Sequence, residues 1–199
     1  PARARRQQVL DAWTAAGLRA LTGDTGLDFH GLRPWRSGHA LPWQPPHLAC
    51  SEEDGLLARR AMADGLALRE RFTEPLSHLR HAPAEPLARM LYEWFESLRV
   101  EALVPAEWPG VQRNLDTRFH DWSGRFHDSP LVGTHLGLLL FTVSQIVRAR
   151  LHRSAPDERF EDTMESTRAG LSPQLGHSLR AMGLHVNEPA LFAPAARDM

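Results

Sequence analysis

Apolar side chains at Val9, Trp13, Ala16 and Ala20 recur at intervals of 4, 3 and 4. That is the repeat of one helix face, and it predicts an amphipathic helix over residues 4–21, stopped at Thr22-Gly23-Asp24. The periodicity then dissolves until residue 50. Phe29-His30-Gly31-Leu32-Arg33-Pro34-Trp35-Arg36 and Leu41-Pro42-Trp43-Gln44-Pro45-Pro46-His47 suit an extended, pinned loop or a short strand pair. Such a loop is either a binding element or a segment clamped to the core by its own aromatics. Ser51-Glu52-Glu53-Asp54 reads as a variant capping box. It leads into Leu57, Ala61, Gly65, Leu68 and Phe72, the stripe of a second helix. Pro83 and Pro86 open a third with its stripe at Leu87, Leu91, Phe95, Leu98 and Ala102, and Pro105 ends it. A fourth runs over 106–126. Asp128-Ser129-Pro130 starts a fifth, striped by Val132, Leu136, Leu139, Leu140, Val143, Ile146 and Val147 and widened by Leu138 and Phe141, which marks it as the central helix. Two shorter helices follow over 157–169 and 172–182. Asn187-Glu188-Pro189 caps a last turn, and residues 193–199 read as the start of a linker.

No repeat, no Gly-x-Gly-x-x-Gly and no alternation longer than four residues interrupts this pattern. The expected fold is mainly α, a multi-helix bundle of about six to seven helices with one long Pro/Trp-rich loop, or short β-hairpin, near residues 23–50. The 199 residues suit a single helical domain over 1–199. A chain that opens on Pro1 reads as a piece of a longer protein. Leu131 to Val147 is the longest apolar run, but it contains His135 and Gln145 and reads as a buried core helix. The Arg-rich N-terminus is followed by Asp11 and Arg19, so it is not a secretion signal.

Charge narrows the function classes. A formal net charge of -1 points to neither nucleic acid nor an anionic membrane. All 23 basic residues are arginine, and without lysine there is no P-loop ATPase and no Schiff-base or pyridoxal-phosphate site. The one cysteine, Cys50, cannot form an internal disulfide, which favours a reducing compartment and a cytoplasmic location.

The eleven histidines make a metal site the first chemistry to test. Asp116, His120 and His127 share a helix face, but no His-Glu-x-x-His or Cys pair accompanies them. They, His78 with His81, and His30, His39 and His47 in the loop read as solvated or hydrogen-bonded histidines. Cys50 near His47 lacks a third, orienting residue and reads as inert. No Gly-x-Ser-x-Gly elbow is present. No catalytic residue, metal ligand or cofactor is assigned. What stands out is residues 92–115, where Glu96 lies one turn from Arg99, and Arg99 and Glu101 fall on opposite shoulders of the third helix's stripe. Half-buried there, these charges need partners. They either brace neighbouring helices or dock a partner subunit.

Glu-x-x-Arg-x-Glu-Ala-Leu at 96–103 and Pro-Gly-Val-x-x-Asn-Leu at 109–115 resemble the N-terminal region of the CobT subunit of aerobic cobaltochelatases. His78-Leu79-Arg80-His81 and Pro86-Leu87-Ala88-Arg89 are similar too. The chain departs from the family pattern at Val104, where the family turns with Gly, and at Trp108, where it carries a smaller residue. The resemblance implies a non-catalytic subunit that works with an AAA+ MoxR-type ATPase and a large chelatase subunit, inserting cobalt into hydrogenobyrinic acid a,c-diamide. It also implies an acidic linker and a C-terminal von Willebrand A domain, whose Asp-x-Ser-x-Ser metal motif does not occur here. Glu96, Arg99, Glu101, Gly110 and Asn114 are then motif residues, structural or in contact with a partner. Two alternatives remain: an adaptor of a generic MoxR and von Willebrand A remodelling complex, and a stand-alone metal- or tetrapyrrole-binding helical protein.

Overall fold

The computed structural model describes residues 2–41, 45–51 and 54–199. Among them it forms, in chain order, α1 (Ala2–Thr22), β1 (Leu27–His30), β2 (Arg33–Arg36), β3 (His39–Ala40), α2 (Leu56–Phe72), α3 (Pro75–His81), α4 (Pro86–Glu101), α5 (Pro109–His127), α6 (His135–His152), α7 (Glu161–Leu184) and α8 (Pro189–Arg197). The fold is therefore mainly α, as the periodicity predicts. Pro42-Trp43-Gln44 and the Glu52-Glu53 pair of the expected capping box lie outside the described residues. The chain divides into two compact units, one holding residues up to Phe72 together with Val104–His120, the other Thr73–Leu103 with Asp121–Met199.

In the first unit, α1 packs on α2 and β1. Its buried face is Thr14, Ala15 and Leu18, whereas Val9, Trp13, Ala16 and Ala20, the predicted stripe, are exposed. Arginine explains the rotation. Arg59 of α2 is fully buried and donates from Nη1 to Asp11 Oδ1 at 2.8 Å and from Nη2 to Gln7 Oε1 at 2.9 Å. Gln7 and Asp11 lie two turns and one turn, respectively, before Thr14 and Ala15, so a polar pair faces α2 and the apolar row turns outward.

The 23–50 segment contains a three-stranded antiparallel sheet in the order β1-β2-β3. Its two tight turns place Gly31 and Leu32 at φ 60° and 63°, and Ser37 and Gly38 at 49° and 82°. Positive φ at both central residues matches the right-handed strand twist, and glycine relieves one of the two positions in each turn. Leu27 and Phe29 point into the core, and His30 stacks on Trp35 at 4.3 Å.

In the second unit the enclosed helix is α4, not α6. Residues 92–101 are all buried, with α6 and α8 packed against α4. Leu136 of α6 is exposed and Leu139 and Leu140 are half-buried; the inward face is Phe141, Val143, Val147 and Leu151. The leucine-rich start of α6 overstated its burial because three consecutive leucines cannot share one face of a helix. Ser129 caps only a short 3-10 turn at Pro130–Gly133, and Thr134 Oγ1 accepts from the Gly137 N–H at 3.0 Å to start α6.

Three further elements depart from expectation. Pro75 sits at the start of α3, a helix the periodicity did not reveal. The two helices expected over 157–169 and 172–182 are one, α7, with the exposed Pro173 inside it. Proline removes one ladder hydrogen bond, and burial of Met164 before it and Met182 after it holds the two halves in place. The supposed linker is α8, opened by Pro189 and anchored by buried Phe192, Ala193 and Ala196. Among the described residues no helix is long and apolar enough to cross a membrane.

Candidate functional site

The five motif residues do not form one cluster. Glu96, Arg99 and Glu101 belong to the second unit, Gly110 and Asn114 to the first. Glu96, Arg99 and Glu101 are fully buried, not half-buried, because their whole helix is enclosed. Arg99 donates from Nε to Glu96 Oε2 at 2.8 Å and from Nη2 to Glu96 Oε1 at 2.7 Å, the paired geometry that suits guanidinium and carboxylate. Thr73 Oγ1 donates to the same Oε1 at 2.6 Å. Arg99 Nη1 reaches the Val186 carbonyl at 3.0 Å, and its guanidinium lies 5.5 Å from the Phe192 ring centre. One side chain of α4 thus ties down the segment between α7 and α8 and the first turn of α8.

A second brace joins α3 to α4. His78 Nε2 lies 3.0 Å from Glu93 Oε2, Arg89 Nε donates to Glu93 Oε1 at 2.8 Å, and Tyr92 Oη donates to the His78 carbonyl at 2.8 Å. The turn after α4 needs no glycine at Val104. Ala102 ends the helix at φ -71°, with its N–H bonded to the Leu98 and Arg99 carbonyls, and Val104 has no positive φ.

Asn114 and Gly110 stand at the start of α5, on a groove. Asn114 Nδ2 donates to Asp64 Oδ2 at 2.7 Å, and Arg60 Nε donates to Asp64 Oδ1 at 2.8 Å. Burial pushes the Asp64 carboxyl above 3.8, against the Asn114 and Arg60 contacts that favour its charged form. The groove has a volume of about 590 Å³ and is walled by Trp13, Leu21, Leu56, Leu57, Trp108 and Val111, with Thr14, Arg60, Gly110 and Asn114 as its other lining. A Cβ at Gly110 would meet nothing within 4 Å, so no packing demands glycine there. The groove was missed because its walls come from three helices. The traces it left in sequence are the Leu56-Leu57 pair ahead of the α2 stripe and the Arg60–Asp64 spacing of four.

The other candidates disperse. Among the described residues no three His, Cys, Asp or Glu side chains gather to hold a metal. His127 Nε2 lies 3.0 Å from Thr163 Oγ1 and its ring 5.1 Å from that of Phe160, whereas His120 is exposed. His47 is buried edge-on to Phe119 at 5.5 Å, His39 Nδ1 lies 3.1 Å from the Ser37 carbonyl, and His81 Nδ1 lies 2.9 Å from that of Ser77. Cys50 Sγ lies 3.7 Å from the Leu48 carbonyl. Trp94 and Trp122 meet edge to face at 5.1 Å in the second unit's core, which is core packing, not a macrocycle pocket.

These features define a helical module held together by arginine–carboxylate braces. The family model for cobalamin biosynthesis protein CobT matches residues 4–199, and the chain belongs to that family. Membership ties it to cobalamin biosynthesis, and the match covers both units, including the residues before His78, where no motif of the resemblance lies. No solved structure matches the chain.

Proposed function

We propose that the chain is a non-catalytic helical module of a CobT-like cobaltochelatase subunit. It supports ATP-dependent insertion of cobalt into a corrin precursor through protein contacts with an AAA+ MoxR-type ATPase and the large chelatase subunit. The observation that carries this reading is the family match across residues 4–199. Two features agree with it. The chain has no lysine for a Walker A site, and the buried arginines Arg59 and Arg99 are engaged in structural pairs. Cobalt and the corrin are substrates of the assembly, and no cofactor is assigned to this chain. Native mass spectrometry of the chain with the MoxR-type ATPase and the large subunit, with and without ATP and magnesium, tests it. A nucleotide-dependent mixed assembly is expected. Failure to assemble with either protein would overturn the partnership.

A further inference from the structure

The α1–α2–α5 groove carries more exposed apolar surface than its own unit requires. Trp13 is 58% exposed and Leu57 75%, and both line it. A tryptophan and a leucine left this open at one concavity make an exposed apolar patch of the kind that marks an interaction site, and tryptophan is a residue type enriched in binding hot spots. Trp13 is also part of the outward row Val9, Trp13, Ala16 and Ala20, which α1 presents because its inner face is occupied by Gln7 and Asp11 with Arg59.

Polarity in the groove selects the ligand. Asp64 spends one carboxylate oxygen on Arg60 Nε and the other on Asn114 Nδ2, which fixes the guanidinium in place. The Arg60 side chain is 41% exposed, and its two terminal nitrogens make no hydrogen bond among the described residues. Nη1 lies against α1 at Gly17, where an added Cβ would come within 3.1 Å of it. A held guanidinium with its outer donors open, inside an apolar groove, is matched by a carboxylate carried on an apolar surface.

Shape selects the carrier. Trp13 to Leu21 spans about 12 Å of α1, two helical turns. A groove between helices with open, apolar rims takes the apolar face of another helix, anchored at spacings of three and four. A small molecule needs walls that enclose most of its surface, which rim residues exposed to this degree do not provide. We infer that this groove docks an amphipathic α-helix of a partner polypeptide whose carboxylate pairs with Arg60. The assignment rests on the groove alone and is independent of which protein supplies the helix.

The test uses the whole chain and a phage-displayed library of 16-residue peptides. Each has apolar residues fixed at i, i+3, i+4 and i+7 and all other positions free. Selection on the wild-type chain, after depletion on Leu57→Glu, should enrich peptides sharing an Asp or Glu at one position. By fluorescence anisotropy, Trp13→Ala and Leu57→Glu should each weaken an enriched peptide at least tenfold, with circular dichroism and melting unchanged. Changing the shared acid to Gln in the peptide should do the same, which tests the Arg60 pairing without disturbing Asp64. The inference is overturned by no enrichment, by peptides indifferent to Leu57→Glu, or by enriched peptides with no shared acid. It is also overturned if wild-type chain forms a dimer in sedimentation that Leu57→Glu dissolves, since a second copy would then occupy the groove.

Discussion

Arg99 grips Glu96 three residues before it through two parallel hydrogen bonds of 2.8 and 2.7 Å, and with its remaining nitrogen holds the Val186 carbonyl at 3.0 Å. Neither side chain reaches water to any useful extent. Desolvating such a pair consumes much of its Coulombic gain, but removing one partner strands a buried charge. Arg99→Ala should therefore cost about 3–5 kcal/mol, read from urea unfolding. Arg99→Met with Glu96→Leu, which removes both charges, should cost clearly less than either change alone. A double variant whose loss equals the sum of the two single losses would show that the pair is not coupled.

The same geometry gives a reason for arginine at three buried positions. Arg59 reaches Asp11 and Gln7, Arg99 reaches Glu96 and Val186, and Arg118 reaches Asp54 and the Ala49 carbonyl. Each guanidinium bridges two acceptors with a rigid fork that an ammonium lacks. Arg99→Lys should retain the charge and still lose more than half of what Arg99→Ala loses, measured in the same unfolding experiment. A lysine variant as stable as wild type would reduce the role of Arg99 to charge alone.

How much of this was legible in the sequence depends on what each signal reports. The existence of α1, α2, α4 and α6 followed from apolar spacing, α5 was expected over 106–126 with no stripe to define it, and Glu96–Arg99 followed from a separation of three on one helix. The direction α1 faces did not follow, because periodicity counts Trp13 and Val9 as buried and cannot see that Arg59, 48 residues from Asp11, draws the polar face inward. α8 hid behind two prolines, although Pro189 at a helix start with Phe192, Ala193 and Ala196 following was a readable signal. The motif at 96–115 is continuous in sequence, yet Val104 begins a return to the first unit, so its two halves serve different cores. The Asp64–Asn114 contact spans 50 residues, beyond the reach of local pattern.

The structure separates two histidines that the sequence reads alike, as solvated or hydrogen-bonded. His127 hydrogen-bonds Thr163 and lies near the Phe141 and Phe160 rings, at 6.0 and 5.1 Å. His127→Ala should cost about 1–2 kcal/mol through these lost contacts, whereas exposed His120→Ala should stay within about 0.5 kcal/mol. Thermal melts of the two variants decide it. A stoichiometric metal lost from either variant by elemental analysis would return both residues to a ligand role.

Glycines separate packing from motif. A Cβ at Gly137 would fall 2.0 Å from the Leu131 carbonyl oxygen, and one at Gly65 would fall 2.3 Å from Leu48 Cδ1. Gly137→Ala must move backbone and should cost the upper part of the roughly 1–3 kcal/mol range for overpacking, Gly65→Ala the lower part. Gly110→Ala meets nothing within 4 Å in a helical turn and should be neutral or gain up to about 1 kcal/mol. If Gly110→Ala were as damaging as Gly137→Ala, the absence of steric demand at 110 would be wrong.

Two carboxyls of the first unit, Asp64 and Asp54, give opposite pH signatures. Burial raises Asp64 above 3.8. Its native state therefore binds a proton more readily than the unfolded chain does, and its stabilising contribution is complete below that value and declines as pH rises through the native pKa. For Asp54, burial also pushes upward, but hydrogen bonds from the Ser51 N–H and Arg118 outweigh it and hold the carboxyl below 3.8. Its contribution is complete above the unfolded value and is lost as pH falls through the native one. Urea midpoints between about pH 3 and pH 7 should show wild type exceeding Asp64→Asn by most in acid and Asp54→Asn by most near neutrality. Parallel curves for the two variants would mean that Asn114 and Arg60 outweigh burial at Asp64, so that both carboxyls are held in their charged form.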